Sequence, residues 1–215
     1  MLGCPSMSDR QMIFVDIDTQ RDFLDPDGAL YVPGSKDIRA NLERLTRSAI
    51  AWGIPIVATA CAHSPEDDEL TRFPAHCLVG TAGQTRIPET TCAETVVLGV
   101  DQRFQGAIPS HVTLEKRELD VFSRPDTTAM IRRYNESKPT FVVYGVATDY
   151  CVRAAVLGLL ERRVSVAIVV DAVRAIDAGA EPALLTEFAR KGGVLTVVDH
   201  VLRAHPTHGF KAEHD

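Results

Sequence analysis

Apolar runs rich in β-branched residues recur along the chain at Met12–Val15, Ile54–Ala58, Thr95–Val100, Val112–Leu114, Phe141–Val146, Val164–Val170 and Val194–Val198. Short continuous runs of this kind predict strands buried on both faces. Between them, Asp37–Trp52, Thr127–Ser137, Asp149–Arg162 and Glu181–Lys191 carry apolar residues at helical spacing, which predicts amphipathic helices. Strand and helix in alternation imply an α/β fold of three layers, a parallel sheet with helices on both faces. In such sheets ligands bind beyond the carboxyl ends of the strands. That rule directs attention to Asp16 and Asp18 after the first run, Cys61 and His63 after the second, and Cys151 after the run ending at Val146. No Gly-x-Gly-x-x-Gly follows the first run, so a dinucleotide-binding reading loses its main support.

Composition narrows the class of partner. The 215 residues suit one domain, expected over 12–200, with a loose leader at 1–11 and a tail at 201–215. At 45% hydrophobic and 24% charged residues the chain has a globular composition, and no apolar run is long enough to span a membrane. A formal net charge of −6 without a basic stretch argues against nucleic acid. The expected partner is a small molecule. Cys4, Cys61, Cys77, Cys92 and Cys151 form no Cys-x-x-Cys pair, which argues against a disulfide framework or zinc ribbon and for the reduced thiols of a cytoplasmic protein.

Three residues carry the candidate chemistry. Cys151 follows Gly145-Val146-Ala147-Thr148-Asp149-Tyr150, where a buried strand gives way to a helix that Thr148 is placed to cap. In a first helical turn the dipole favours a thiolate, and free backbone N–H groups can hold an oxyanion. Asp18 ends an acidic strand terminus, where a desolvated carboxylate of raised pKa suits a general base. Lys116 closes the run His111–Lys116, where its ammonium could hold Asp18 in place. Taken singly, each has a blander reading: a small buried cysteine, a turn carboxylate and a surface lysine. Asp16 and Asp22 are read as turn or cap carboxylates. Cys61, His63 and His76 offer three N/S ligands with an open position, although loop histidines are more often hydrogen-bonded or solvated.

With these residues in hand, the sequence resembles the isochorismatase-like cysteine hydrolases, and within them the nicotinamidase-related branch, from about Met12 to Val198. Asp18-Thr19-Gln20-Arg21-Asp22-Phe23 is similar to the family's D-x-Q-x-D-F segment, and Gly145 to Val152 to its nucleophile segment G-V-x-T-x-x-C-V. Phe73-Pro74-Ala75-His76-Cys77 through Gly83 resembles W-P-x-H-C-x-x-G-T-x-G. The resemblance implies a six-stranded parallel sheet of Rossmann-like order and an Asp18, Lys116 and Cys151 triad. It also implies a cis peptide at Val146-Ala147, with the Ala147 and Cys151 N–H groups as oxyanion donors. The implied activity is hydrolysis of the C–N bond of a small amide through a thioester, with Phe23 and Phe73 sandwiching a flat ring and a homodimer or homotetramer as the assembly. Related nicotinamidases place an Asp where this chain has Cys61. A thiolate there shifts preference toward zinc, bound through Cys61, His63 and His76, although no cofactor is expected to be required. Another carbamoyl or maleamic-type amide, or a catalytically silent binding protein on the same fold, are the alternative readings.

Overall fold

In the computed structural model, which describes residues 11–204, each of the seven apolar runs contributes a strand. They are β1 Met12–Ile17, β2 Ile56–Cys61, β3 Val96–Leu98, β4 His111–Lys116, β5 Thr140–Val146, β6 Ser165–Arg174 and β7 Val194–Thr196. All pair in parallel in one sheet of order β3-β4-β2-β1-β5-β6-β7. The family resemblance implied six strands, and the count is corrected to seven. The edges are the short strands β3 and β7, each paired on one side only, which leaves Val96, Val97, Val194 and Leu195 exposed. Residues 1–10 of the expected leader and 205–215 of the expected tail lie outside the described residues. The first four residues of that tail belong instead to a helix that begins at Val198.

Among the described residues six α-helices flank the sheet: α1 Arg21–Leu24, α2 Ser35–Trp52, α3 Thr127–Tyr134, α4 Cys151–Glu161, α5 Glu181–Arg190 and α6 Val198–Ala204. Successive strand residues point to opposite faces, and β1 divides accordingly. Met12 and Phe14 join the core built with Leu42 and Leu45 of α2 and Val201 of α6. Ile13, Val15 and Ile17 join the other, with Met130 of α3, Val152 of α4 and Phe188 of α5. Burial on both faces is why the strands read as continuous apolar runs. Among the described residues no helix is long and apolar enough to cross a membrane.

From β1 the chain passes to β2 and on to the edge strand β3, returns to β4 between those two, then crosses to β5, β6 and β7 on the other side of β1. Such a reversal opens a crevice at the carboxyl ends of the central strands. Gly145 lets β5 close up against the end of β1. Its φ is +113°, and a Cβ there would lie 2.1 Å from the Ile17 carbonyl oxygen. The ends of β4, β2, β1 and β5 consequently bring Lys116, Cys61, Asp18 and the turn before Cys151 to one place.

Candidate active site

Asp18 follows the last residue of β1 in a left-handed conformation (φ 48°), which Asp tolerates better than most residues. The turn is held from β2: the Asp18 N–H donates to the Thr59 carbonyl at 3.3 Å, and the Thr59 hydroxyl donates to Asp18 Oδ1 at 2.5 Å. Lys116, the last residue of β4, pairs in register with Cys61, the last of β2. Its Nζ lies 2.9 Å from Asp18 Oδ2, 3.2 Å from Cys61 Sγ and 3.5 Å from Cys151 Sγ. The structure thus brings Asp18, Lys116 and Cys151 together as the sequence suggests. It adds Cys61 as a fourth member, 3.7 Å from Asp18 Oδ2. Lys116 is 2% exposed, which disposes of the surface-lysine reading.

Burial sets the protonation states here. It pushes the Asp18 carboxyl up, but the Lys116 ammonium and hydrogen bonds from Lys116, Thr59 and Cys151 outweigh it and hold Asp18 below its usual range. The raised value expected for a desolvated carboxylate is therefore corrected, because burial here comes with a buried counter-ion. Burial opposes the Lys116 charge, yet Asp18 and the two sulfurs raise its pKa well above the ordinary lysine value. The Cys151 thiol goes up as well, through its hydrogen bond with Cys61, then burial, against the lowering pull of Lys116. This reverses the thiolate expected from the helix terminus alone. One ammonium already neutralised by one carboxylate has little attraction left for two further anions in a dry site.

Cys151 opens α4, so its N–H is among those with no acceptor inside the helix. The expected cap is absent. Thr148 donates its hydroxyl to Glu181 Oε1 at 2.8 Å and its N–H to the Arg174 carbonyl, while the residue at the cap is Tyr150, without a side-chain bond. The Val146-Ala147 peptide is cis, as the resemblance implied. Val146, Ala147 and Cys151 line one narrow cleft. Phe23, Phe73, Leu119, Tyr150 and Ile176 wall it, and Glu69 and His76 close one side. Phe73 meets Tyr150 edge-on at 5.3 Å and Phe23 packs on His76 at 5.3 Å. Both phenylalanines therefore line the cleft, although each is already engaged with an aromatic neighbour. Among the described residues lining this cleft none is cationic.

Other residues of the motifs hold the site from behind. Gln20 reads both backbone groups of Cys61, accepting its N–H at 2.7 Å and donating to its carbonyl at 2.8 Å. Asp22 accepts the Cys77 N–H at 2.6 Å and the Ala29 N–H at 3.1 Å. A Cβ on Gly83 would stand 2.2 Å from the Asp22 carboxylate, so the loop needs glycine there. Asp16, read as a turn carboxylate, is instead wholly buried and paired with Arg86 and Thr19.

Cys61, His63 and His76 also converge: their ligand atoms lie within 4.8 Å of one another, all buried. Glu69, which no sequence signal singled out, completes the set with Oε1 at 3.8 Å from both histidine Nε2 atoms. His63 Nδ1 bonds Asp67 Oδ2 at 3.2 Å and His76 Nδ1 the Pro74 carbonyl at 2.8 Å, which fixes the tautomers and turns both Nε2 atoms inward. Burial pushes both histidines down, keeping them in the neutral, ligating form. His63 Nε2 and Glu69 Oε2 are buried without a hydrogen-bond partner. One soft, two borderline and one hard donor around orphaned polar atoms fit zinc.

A family model described as isochorismatase domain matches residues 12–200. Among solved structures, a pyrazinamidase of Pyrococcus horikoshii in complex with zinc is 28% identical over 87% of this chain and 99% of its own, with a TM-score of 0.71. An N-carbamoylsarcosine amidase from Thermoplasma acidophilum is 25% identical over 88% and 97%, with a TM-score of 0.70. A nicotinamidase/pyrazinamidase from Bacillus subtilis is 20% identical over 86% and 99%, with a TM-score of 0.72. No curated protein sequence matches significantly.

Proposed function

This chain belongs to the isochorismatase family, and from that premise we propose that it is a cysteine-dependent amidohydrolase of small, neutral, flat amides of the nicotinamide type. The observation that carries the reading is the placement of Cys151 in the lining of an aromatic-walled cleft, with Lys116 bridging its sulfur and the Asp18 carboxylate.

In the resting site Asp18 is a carboxylate and Cys151 a thiol, so the proton is on the nucleophile and the base is free to take it. As the sulfur attacks the amide carbonyl, Asp18 accepts the thiol proton, and the Ala147 and Cys151 N–H groups receive the developing oxyanion. Asp18 then gives that proton to the departing ammonia, which leaves a thioester on Cys151. Water deprotonated by Asp18 attacks the thioester and releases the carboxylic acid, restoring the thiol. Lys116 stays charged throughout and holds Asp18 against the cost of burial. Cys61, His63 and His76, with Glu69 beside them, would hold a zinc ion, which would supply Lewis-acid chemistry at that side of the cleft.

The wall also bears on substrate class. N-carbamoylsarcosine and maleamate each carry a carboxylate, and this cleft offers Glu69 and no cationic side chain to receive one. Liberated ammonia measured across nicotinamide, pyrazinamide, N-carbamoylsarcosine and maleamate tests the reading. The ring amides should give the highest kcat/KM. Turnover of the carboxylate-bearing amides alone would overturn the substrate class, and no ammonia from any amide would overturn the reaction.

A further inference from the structure

Cys61 takes no part in the proton transfers of the acyl transfer or of thioester hydrolysis, yet it stands inside the site. Its sulfur and that of Cys151 lie within 4.8 Å of each other and share Lys116 Nζ at 3.2 and 3.5 Å. Neither thiol is in a disulfide. Their settings differ in one respect. Cys151 faces the cleft, whereas Cys61 is 1% exposed, sits behind it at the end of β2, and is pinned through its backbone by Gln20.

We propose that Cys61 and Cys151 form a peroxide-responsive dithiol, in which Cys61 resolves an oxidised Cys151 as a disulfide and switches the nucleophile off reversibly. A hydroperoxide entering the cleft meets Cys151 first. The sulfur, losing its proton to Asp18, attacks the distal peroxide oxygen, the O–O bond breaks, and the leaving oxygen departs as water with that proton. Cys151 becomes a sulfenic acid. The Cys61 sulfur then attacks the Cys151 sulfur, the S–O bond breaks, and the hydroxide released takes up the Cys61 proton as a second water. In balance, two thiols lose two electrons and two protons, and one hydrogen peroxide becomes two waters. Lys116 faces both sulfurs, so it stabilises each thiolate as it forms and the leaving oxygen beside it.

Among the described residues the geometry favours this pair. A disulfide needs its sulfurs at about 2.05 Å, so forming one must draw the two side chains together from their present separation of up to 4.8 Å. Cys77, buried in the loop ahead of Gly83, directs its thiol at the Gly83 carbonyl instead, at 3.9 Å. Cys92 packs against the core that holds Phe14 and Tyr144, and its thiol is not among the groups gathered around Cys151. Oxidation would also withdraw the Cys61 sulfur from the zinc set, so the disulfide and the loaded metal site exclude one another.

The test uses the full-length chain, freed of reductant and treated with a chelator, and exposed to two molar equivalents of hydrogen peroxide, enough to carry an unresolved thiol past the sulfenic acid to the sulfinic acid. Non-reducing peptide mapping should find the Cys61 and Cys151 peptides joined, with the intact mass lower by two hydrogens and both changes undone by dithiothreitol. In Cys61→Ser the same exposure should carry Cys151 on to a sulfinic acid that dithiothreitol does not reverse. Cys151→Ser should leave Cys61 as a free thiol. A wild-type chain that goes straight to the Cys151 sulfinic acid with Cys61 still alkylatable would overturn the proposal, and so would a disulfide joining either residue to any other cysteine. These readouts are masses, so they stand apart from whether the amide reading holds.

Discussion

Lys116 Nζ lies 2.9 Å from Asp18 Oδ2, with both side chains 1% exposed. A lysine and an aspartate so fully withdrawn from water are tolerable only together, since removing one partner leaves an uncompensated charge. The pair is built by register, the end of β4 falling beside the ends of β2 and β1.

Lys116→Met should therefore cost about 3–5 kcal/mol at neutral pH, read as a fall in Tm against wild type. The deficit should depend on pH in a direction the pair fixes. In the wild type Asp18 is held below its ordinary value of 3.8, so its contribution is present above that pH and lost as the pH falls through the folded value. Lys116 is held above 10.5, so its contribution is complete below that pH and lost as the pH rises through the folded value. Without the ammonium, burial prevails and Asp18 moves up, so the variant loses stability as the pH rises past the ordinary carboxylate range. The Tm gap should be wider at about pH 7 than at about pH 4. The acid limb of residual activity should move upward as well. A gap that does not change with pH would mean that Asp18 is not ionised in the wild type.

Cys61 decides which metal suits the second donor set. A thiolate among two imidazoles and a carboxylate favours zinc, whereas a carboxylate in its place suits harder cations. Dialysis against equal zinc and manganese, followed by elemental analysis, should find zinc in the wild type and a rise in the manganese share in Cys61→Asp. Glu69→Gln should weaken zinc retention while leaving the Asp18–Lys116 pair, and hence its contribution to Tm, in place. Manganese taken up by the wild type as readily as zinc would show that sulfur does not ligate.

Much of this was readable in the sequence, for reasons that also mark where reading stops. The strands announced themselves because both faces of the sheet are covered, which turns each into an unbroken apolar run. Asp18 and Cys151 stood out because they follow central strands where crevices form. The burial of Lys116 did not: in His111–Lys116 it looks like the polar end of a strand, and only the non-local pairing with Cys61 takes it inside. Glu69 lies in an acidic stretch that reads as solvated surface, and packing against His63 and His76 alone reveals it. Thr148 was a sound local cap, but Glu181 and the Arg174 carbonyl, distant in sequence, claimed its hydroxyl and N–H. The protonation of Asp18 and Cys151 turned on a balance of burial against partners that no single position records.

If Asp18, Lys116 and Cys151 act on one transition state, their substitutions should not add. Cys151→Ala removes the nucleophile and Asp18→Asn the proton acceptor, and each should lower turnover at least about a hundredfold. Asn keeps the shape of Asp18 and can still accept from Thr59, so the fold should survive, with Tm recorded for each variant. In the Cys151→Ala background no thiol remains to be deprotonated, and adding Asp18→Asn should cost little further activity. That near-silence of the second substitution is the signature of a shared step. Two losses that multiply would mean that Asp18 serves some other step, such as substrate binding, and that the proton leaves Cys151 by another route. A well-folded Asp18→Asn with wild-type turnover would remove the carboxylate from the chemistry, leaving the 2.9 Å contact with Lys116 as a structural pair alone.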